Sequence, residues 1–186
     1  MKRVRFDIAA PILLLALTEA MAAQFERAPY LQSVSSQSAV IAFRLDTACP
    51  ASLKYGANGE LVHDTTHATE QLFHVFELTE LKPDTEYRYS ITACSDEPLG
   101  AYQFKSAPVT GSSKVHFTAF GDSGTGGPEQ LAVVTQIEKS RPNFMIGLGD
   151  LAYNAGTELE FETRFFQPMA KLLSAMPLFP TLGNHE

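Results

Sequence analysis

The sequence has few basic residues, and its apolar runs are short. Lys and Arg total 14 against 21 Asp and Glu among 186 residues, so the formal net charge at pH 7 is −7. Proteins that bind nucleic acid need clustered Lys and Arg to neutralise phosphates, and this composition argues against that class. The apolar run from Ile8 to Leu17 has ten residues, far below the ~20 of a membrane-spanning helix, and no run of spanning length follows it. We therefore expect neither nucleic acid nor a membrane as a partner of the mature chain.

Common nucleotide-binding and nucleophile patterns are missing as well. The glycines within 121–127 are not followed by the Gly-Lys-Ser/Thr ending of a P-loop, which makes a nucleotide-binding loop a weak interpretation. Ser123 lacks the glycine-flanked elbow of a serine hydrolase. Cys49 and Cys94, the two cysteines, both lie in a β-rich segment. Neither a Ser-His-Asp nor a Cys-His nucleophile is indicated.

Residues 1–22 have the features of a secretory signal peptide. Lys2, Arg3 and Arg5 precede the apolar run, and Ala20-Met21-Ala22 provides small residues at the spacing that a signal peptidase recognises. The alternative, a buried N-terminal helix, would carry polar residues on one face, and the run has none. We expect cleavage after position 22 or 23 and secretion to the periplasm or the extracellular space. The leader carries three basic and two acidic residues, so the mature charge would be −8.

Residues 26–108 predict an antiparallel β-sandwich. Short runs alternate between apolar and polar residues, and clusters of Gly, Pro, Asn and Asp separate them, which is typical of a sandwich with frequent turns. The runs cover 38–45, 51–55, 72–78, 87–91 and 102–104, and the turns fall at 56–59, 82–84 and 97–100. The segment from Leu81 to Tyr87 resembles the corner before the F strand of a fibronectin type III domain, with Tyr87 as the tyrosine corner.

Two cysteines fall within this sandwich. Cys49 follows the run 38–45 and Cys94 follows the run 87–91, and in this type of sandwich both positions lie at the same end. Export would place the chain in an oxidising compartment. We expect a disulfide between Cys49 and Cys94; the alternative is a pair of half-buried free thiols.

Beyond a short polar linker, residues 114–186 show a different pattern. Apolar strands are predicted at 114–120, 143–148 and 178–182, and helices at 128–141 and 158–176. Leu131, Val134 and Ile137 form the apolar stripe of the first helix, and Phe161, Phe165, Met169 and Leu172 lie on one face of the second, which Pro168 is expected to break or kink. Strands that alternate with helices predict a parallel βαβαβ unit.

Each of the three strands ends in glycine followed by an oxygen-bearing side chain: Asp122, Asp150 and Asn184. Ligands of open α/β sheets bind at the carboxyl ends of the strands, and carboxylate and amide oxygens suit hard cations such as Mg, Mn, Fe or Zn. Any one Gly-Asp pair is more simply a turn. Three successive strand ends with the same arrangement favour a metal site, in which a shared carboxylate would bridge two ions.

These strand ends resemble the first three motif blocks of the calcineurin-like metallophosphoesterases. The blocks are Gly121-Asp122-Ser123-Gly124, Gly149-Asp150-Leu151-Ala152-Tyr153 and Gly183-Asn184-His185-Glu186. Gly124 and Tyr153 are similar to the purple acid phosphatases, whereas other branches usually have His in the place of Gly124. The sandwich, which opens at Ala28-Pro29-Tyr30, resembles the domain that precedes the catalytic domain of plant-type purple acid phosphatases. The implied architecture is a multidomain β plus α/β protein, with a fibronectin type III-like sandwich followed by the N-terminal βαβαβ part of a metallophosphoesterase α/β sandwich.

The resemblance implies a role for each site residue. Asp122 would bind the first metal, Asp150 would bridge both metals, and Tyr153 would give a phenolate to Fe(III). Asn184 would bind the second metal, which would be Zn, Mn or Fe(II). His185 would contact the phosphate or protonate the leaving group. The implied activity is hydrolysis of a small phosphate ester, as in an acid phosphatase.

The sequence also departs from the family pattern. The family continues with further blocks that carry three more histidine ligands, and this chain ends at Glu186, so the sequence is expected to be a fragment that is inactive alone. The remaining histidines, expected at surface or edge-strand positions, are His63, His67, His74 and His116. Two alternatives stay open: a binding or adhesion module with a vestigial phosphoesterase domain, and a phosphodiesterase of the same superfamily.

Overall fold

The computed structural model describes residues 23–111 and 114–186, so the predicted signal peptide lies outside it. A β-rich part contains β1 (Phe25–Gln32), β2 (Ala39–Ala57), β3 (His63–Leu78), β4 (Glu86–Ala93) and β5 (Pro98–Lys105). An α/β part contains β6 (Phe117–Phe120), α1 (Pro128–Ser140), β7 (Phe144–Gly147), α2 (Glu158–Phe161), α3 (Gln167–Leu173) and β8 (Leu178–Pro180). This order agrees with the predicted β-sandwich followed by an α/β unit. The exact domain limits stay a prediction.

The sandwich is built around two long strands that the sequence pattern had divided. β2 has 19 residues, and its first half pairs with β1 while its second half pairs with β4. β3 runs along the other edge of both halves. The register shifts between Arg44 and Ala51, where the chain turns from one layer into the other. The predicted runs 38–45 and 51–55 are therefore one continuous strand, and β3 begins nine residues before the predicted run 72–78.

Two local features of the sandwich agree with the sequence. Cys49 and Cys94 form a disulfide, with their Cα atoms 5.4 Å apart, where the bend of β2 meets the end of β4. The Lys82 backbone N–H donates to the Tyr87 hydroxyl at 2.8 Å, which is the hydrogen bond of a tyrosine corner. Both features fix a loop against the apolar core between the two layers.

The histidines of β3 differ in how deeply they are buried. His74 is fully buried, and its ring stacks on that of Phe43 with the ring centres 5.0 Å apart. His67 is half-buried, and its ring stacks on that of Phe76 with the centres 4.0 Å apart. Burial lowers the pKa of His74, since a charged imidazole would lose its hydration there. His74 lies on an edge strand, one of the two expected positions, since β3 pairs with β2 alone in the part of the chain that the structure describes, but its side chain is not at the surface. His63 and His116 are exposed, as expected.

The α/β part contains a parallel sheet in the order β6-β7-β8. The strands occupy the predicted positions but are shorter, since only Phe117–Phe120, Phe144–Gly147 and Leu178–Pro180 pair. α1 buries Val134 and Ile137 against this sheet together with Gln130, whereas the predicted stripe residue Leu131 is 49% exposed. Gln130 occupies the core side because its amide joins the loop before α1 to the second helix, accepting from Gly126 N–H and donating to the Arg164 carbonyl, both at 2.6 Å.

The second helix continues through its proline without breaking. Residues Glu162–Phe166 form a π-helical turn between α2 and α3, in which the Gln167 N–H reaches the Glu162 carbonyl. Such a turn adds one residue and re-aims the helix. Pro168 follows this turn and has no N–H to donate, and the Arg164 carbonyl four residues earlier accepts from the Gln130 amide instead. Phe165, Met169 and Leu172 are buried on one face, as the sequence predicts, whereas Phe161 of the same predicted face is only partly buried.

The π turn packs directly on the sandwich. Arg27 of β1 forms a salt bridge with Glu162, and its guanidinium lies 3.9 Å from the centre of the Phe166 ring. Tyr30 packs on Phe166 at 5.3 Å, within an apolar cluster that β1 and β2 share with the helices. Contacts across this interface hold the two parts together. In the described ranges, no helix is both long and apolar enough to cross a membrane.

Candidate metal centre at three strand ends

The loops that follow β6, β7 and β8 lie side by side. The Asp122 N–H donates to the Gly149 carbonyl at 3.2 Å, and the Ser123 and Gly124 N–H groups both donate to the Asp150 carbonyl at 3.2 Å. In return, the Tyr153 N–H donates to the Gly124 carbonyl at 2.9 Å. The first two motif loops are thus joined through their backbones, and the side chains they carry are directed to the same edge of the sheet.

Both candidate aspartates have an unusual backbone conformation. Asp122 has φ 50° and Asp150 has φ 52°, in the left-handed region that non-glycine residues seldom occupy. Such a conformation carries a cost of about 1–3 kcal/mol and persists only where the surroundings enforce it. Here the surrounding hydrogen bonds enforce it at two successive strand ends, and this turns each carboxylate out of its strand direction.

Two glycines leave the room that these carboxylates need. Gly149 has φ +93°, and a Cβ there would stand 2.6 Å from the Gly183 backbone. A Cβ on Gly183 would collide with the Asp150 carboxylate. The Gly-Asp and Gly-Asn pairs are therefore required for the close approach of the loops, in addition to their role as turns.

The Tyr153 hydroxyl joins the two carboxylates. It donates to Asp122 Oδ1 at 3.0 Å and to Asp150 Oδ2 at 3.1 Å. Desolvation raises the pKa of Tyr153 well above its usual value, and the hydrogen bonds to the two carboxylates raise it further. The phenol therefore keeps its proton in this arrangement, since a phenolate would face two negative charges. A multivalent cation among these oxygens would remove that repulsion and take the place of the proton.

The loop that carries Tyr153 is tied to α2. The Glu160 carboxylate accepts from the Asn154, Ala155 and Thr157 N–H groups, which completes a capping box with Thr157. Hydrogen bonds from the backbone, chiefly of Thr157, lower the pKa of Glu160 to about 2. Arg164, which also pairs with Glu160, donates to the Tyr153 carbonyl. These contacts fix the backbone position of the phenol.

His185 lies against the same phenol. Its ring contacts the Tyr153 ring edge-on with centres 4.6 Å apart, and its backbone N–H donates to Asp150 Oδ1 at 3.1 Å. The His185 Nδ1 is 2.5 Å from the Asn154 carbonyl oxygen. Because a carbonyl only accepts, Nδ1 carries the proton and Nε2 is the atom available for a ligand.

Glu186 holds the second and third loops together, a role that the sequence did not reveal. Its Oε2 accepts from Asp150 N–H at 2.9 Å and Gly183 N–H at 2.7 Å, and its Oε1 accepts from Leu151 N–H at 2.6 Å and Ala152 N–H at 3.3 Å. Burial alone would raise the pKa of Glu186, but these backbone bonds outweigh it and lower the pKa. Its adjacency to His185 in the third block was the one signal available.

The structure brings together only part of the predicted ligand set. Asp122, Asp150 and Tyr153 converge, with Asp150 only 8% exposed and Asp122 open to solvent. Asn184 is exposed, and its side chain makes no hydrogen bond within the described ranges. No group of three or more His, Cys, Asp or Glu side chains positioned to hold a metal occurs among residues 23–111 and 114–186. Two carboxylates and a phenol are nevertheless a donor set that fits hard cations.

Comparisons with known proteins agree with this geometry. The sequence model of the family described as "Calcineurin-like phosphoesterase" matches residues 115–186. No curated protein matches the sequence. The solved structure of PhoD is similar over 95% of this chain, with a TM-score of 0.67 and 16% identity, and this chain spans 40% of the PhoD chain.

Two further solved structures align with about half of the chain. The fn3 domain of human contactin 1 has a TM-score of 0.37 and 16% identity over 58% of this chain and 99% of its own. The sensor domain of the anti-sigma factor RsgI4 in Pseudobacteroides cellulosolvens has a TM-score of 0.40 and 15% identity over 49% of this chain and 100% of its own. The PhoD likeness supports the fold, and residues 115–186 are similar to the calcineurin-like phosphoesterase family.

Proposed function

We propose that this chain contributes to a metal-dependent phosphoric ester hydrolase of the purple acid phosphatase type, with a small phosphomonoester as substrate. The observation that carries the proposal is the Tyr153 hydroxyl, which is hydrogen-bonded to both Asp122 and Asp150. The Tyr153 ring is only partly buried beside His185 at the edge of the sheet, so ring packing alone does not account for the two contacts of its hydroxyl.

Electrostatics at this edge require cations for any anionic substrate. Asp122 and Asp150 place two negative charges beside the position of the phenol, and these charges would repel a phosphate ester. Asp122, Tyr153 and Asp150 would hold an Fe(III), and Asp150 with Asn184 would contribute to a second site for Zn, Mn or Fe(II). The bound pair would supply Lewis acidity, which polarises a phosphoryl oxygen and lowers the pKa of water.

We propose that His185 acts on the substrate, and its hydrogen bonding supports this role. Its Nδ1 is committed to the Asn154 carbonyl, so Nε2 is the atom that would hydrogen-bond a phosphoryl oxygen or, in the protonated ring, donate to the leaving alcohol. The Glu160 and Arg164 contacts fix the loop that carries both Tyr153 and Asn154. The chain's own residues thus orient a proton donor next to the candidate metal ligands.

Gly124 favours the purple acid phosphatase branch over its relatives. A Cβ at this position would collide with the Leu151 backbone, so no side chain fits there. The branches that resemble this sequence but have His at this point would need a different path of the second loop. The close backbone approach at Gly124 and the phenol at Tyr153 therefore support the same assignment.

We also propose that the protein is secreted. The Cys49–Cys94 disulfide is the observation in favour, since such bonds persist in oxidising compartments. Fractionation of cells that express the gene would test it. A chain that remains in the cytosol with both thiols reduced would contradict the proposal.

The test of the function uses iron as a chromophore. Fe(III) is added to the wild-type chain and to Tyr153→Phe, and the visible absorbance is recorded. We expect a phenolate-to-iron band in the wild type that is missing in the variant. Tyr102→Phe, which changes a tyrosine of the sandwich, is the matched control and should keep the band.

A second assay separates the monoesterase from the diesterase. The protein expressed from its gene is supplied with iron and zinc, and its hydrolysis of a chromogenic phosphomonoester and of the corresponding diester is measured. An iron-binding wild type without the band, or turnover of the diester alone, would move the protein to another branch.

A further inference from the structure

A second group of metal-binding atoms lies in the sandwich, apart from the strand-end centre. His67 Nδ1 and His74 Nδ1 are 3.4 Å apart, and the Gln71 side-chain amide lies 3.1 Å from each of them. All three residues belong to β3, where it passes from one layer to the other beside Cys49. Three potential donor groups therefore meet at one point on a single strand.

The hydrogen bonding of His74 leaves the correct nitrogen free. Its Nε2 lies 3.0 Å from the Gln71 backbone carbonyl, which can only accept, so Nε2 carries the proton. Nδ1 consequently has a lone pair and faces His67. A histidine whose outer N–H is fixed on a backbone carbonyl while the other nitrogen is free has the arrangement found in metal-bound histidines.

The separation of the two nitrogens suits a tetrahedral ion. Ligands bonded at about 2.0–2.1 Å and 3.4 Å apart subtend about 110° at the metal. The ring planes of His67 and His74 differ by 17°, and their nitrogens face each other, so a modest turn of the half-exposed His67 directs both lone pairs to one ion. Rotation of the Gln71 amide by half a turn exchanges its nitrogen for its oxygen at the same point, since the two ends of an amide are nearly the same shape.

The surroundings preorganise these ligands. His74 is fully buried and stacked on Phe43, so its ring is held before any ion binds, and stacking on Phe76, with ring centres 4.0 Å apart, keeps the His67 ring close to it. Little side-chain entropy remains to be lost on binding. His67 and Gln71 are only half-buried, which leaves a path for the ion from solvent and space for a water as a further ligand.

We propose that His67, His74 and the Gln71 amide oxygen bind one divalent cation of the kind that prefers imidazole, such as Zn(II), Co(II), Ni(II) or Cu(II). Imidazole nitrogens select these ions over Mg(II) and Ca(II). The site would join the two halves of β3 where the strand changes layer, and its occupancy would stabilise the sandwich independently of the strand-end centre.

The test uses the full chain with the strand-end carboxylates neutralised as Asp122→Asn and Asp150→Asn. Co(II) is titrated into this background while the visible d–d absorbance is followed, and Zn(II) is titrated while the thermal midpoint is followed. We expect one equivalent of Co(II) to give the absorbance of a tetrahedral ion and Zn(II) to raise the midpoint. His67→Ala should abolish both responses, and Gln71→Glu should tighten binding about tenfold, since a charged oxygen replaces the amide.

His63→Ala is the matched control, because His63 lies on the same strand but stacks on Tyr55, away from the cluster. It should leave both metal responses unchanged. His67 is used rather than the buried His74, and the metal-free thermal midpoint of each variant shows that it is folded. Absence of binding in the background chain, or binding that survives His67→Ala, would show that the three side chains form a hydrogen-bonded cluster only.

Discussion

Glu186→Gln would test whether the third motif block holds the candidate site together. The two oxygens of the carboxylate each accept from two backbone N–H groups, and those groups belong to Asp150, Leu151, Ala152 and Gly183. A glutamine of the same shape has one oxygen and one NH₂, so whichever way the amide turns, two N–H groups face a donor instead of an acceptor. An unpaired, poorly solvated donor costs about 1–3 kcal/mol, and we expect a total loss of about 2–4 kcal/mol in the free energy of unfolding.

Urea denaturation at pH 7 measures that loss, and Glu70→Gln, which changes an exposed glutamate of the sandwich, is the matched control. Iron affinity is the second measurement, because the same bonds position Asp150, and we expect a fall of about tenfold or more. A Glu186→Gln midpoint equal to that of Glu70→Gln would refute the argument that this carboxylate is the tie between the loops. Lost stability with unchanged iron affinity would show that it supports the fold without positioning Asp150.

Two further predictions concern other contacts. Arg27→Met should destabilise the protein by about 3–5 kcal/mol, because the side chain of Glu162 is only 10% exposed and would keep an unpaired charge. The double variant Arg27→Met with Glu162→Leu should recover most of this loss. Urea denaturation of the single and double variants checks the prediction, and equal losses in both would contradict it. The pKa of Glu160 is lowered from 4.5 to about 2, so its contribution to stability is complete above pH 4.5 and is lost as the pH falls toward 2. The urea midpoint of Glu160→Gln should therefore fall less steeply than that of the wild type across this window, and identical acid profiles would contradict the assignment.

Several features of the fold and the site followed from the sequence. The strand ends were predictable because a short apolar run followed by Gly-Asp or Gly-Asn is a local pattern, set by burial along the run and by backbone freedom at the glycine. Tyr87 and the buried face of Phe165, Met169 and Leu172 were predictable for the same reason. Each of these features depends only on residues that lie close together in the sequence, within about two helical turns or one strand.

Other features depended on contacts between distant residues. β2 and β3 run through their bends because each strand is paired along both layers, and the turn residues within the sequence did not show this. The pairing of Arg27 with Glu162 joins residues 135 positions apart, and no pattern within either segment indicates it. Gln130 rather than Leu131 faces the core because Gly126 and Arg164, both outside α1, offer it two hydrogen bonds.

The candidate site likewise combines features that the sequence determines with features that only the fold determines. The sequence by itself determined which oxygen-bearing side chains stand at the strand ends, because that depends on spacing along the chain. Only the tertiary structure decided that Tyr153 joins Asp122 to Asp150, that Glu186 ties the loops, and that His67 and His74 meet. The physical reason is that hydrogen bonds and ligand geometry act over about 3 Å between atoms, and only the folded chain sets those distances.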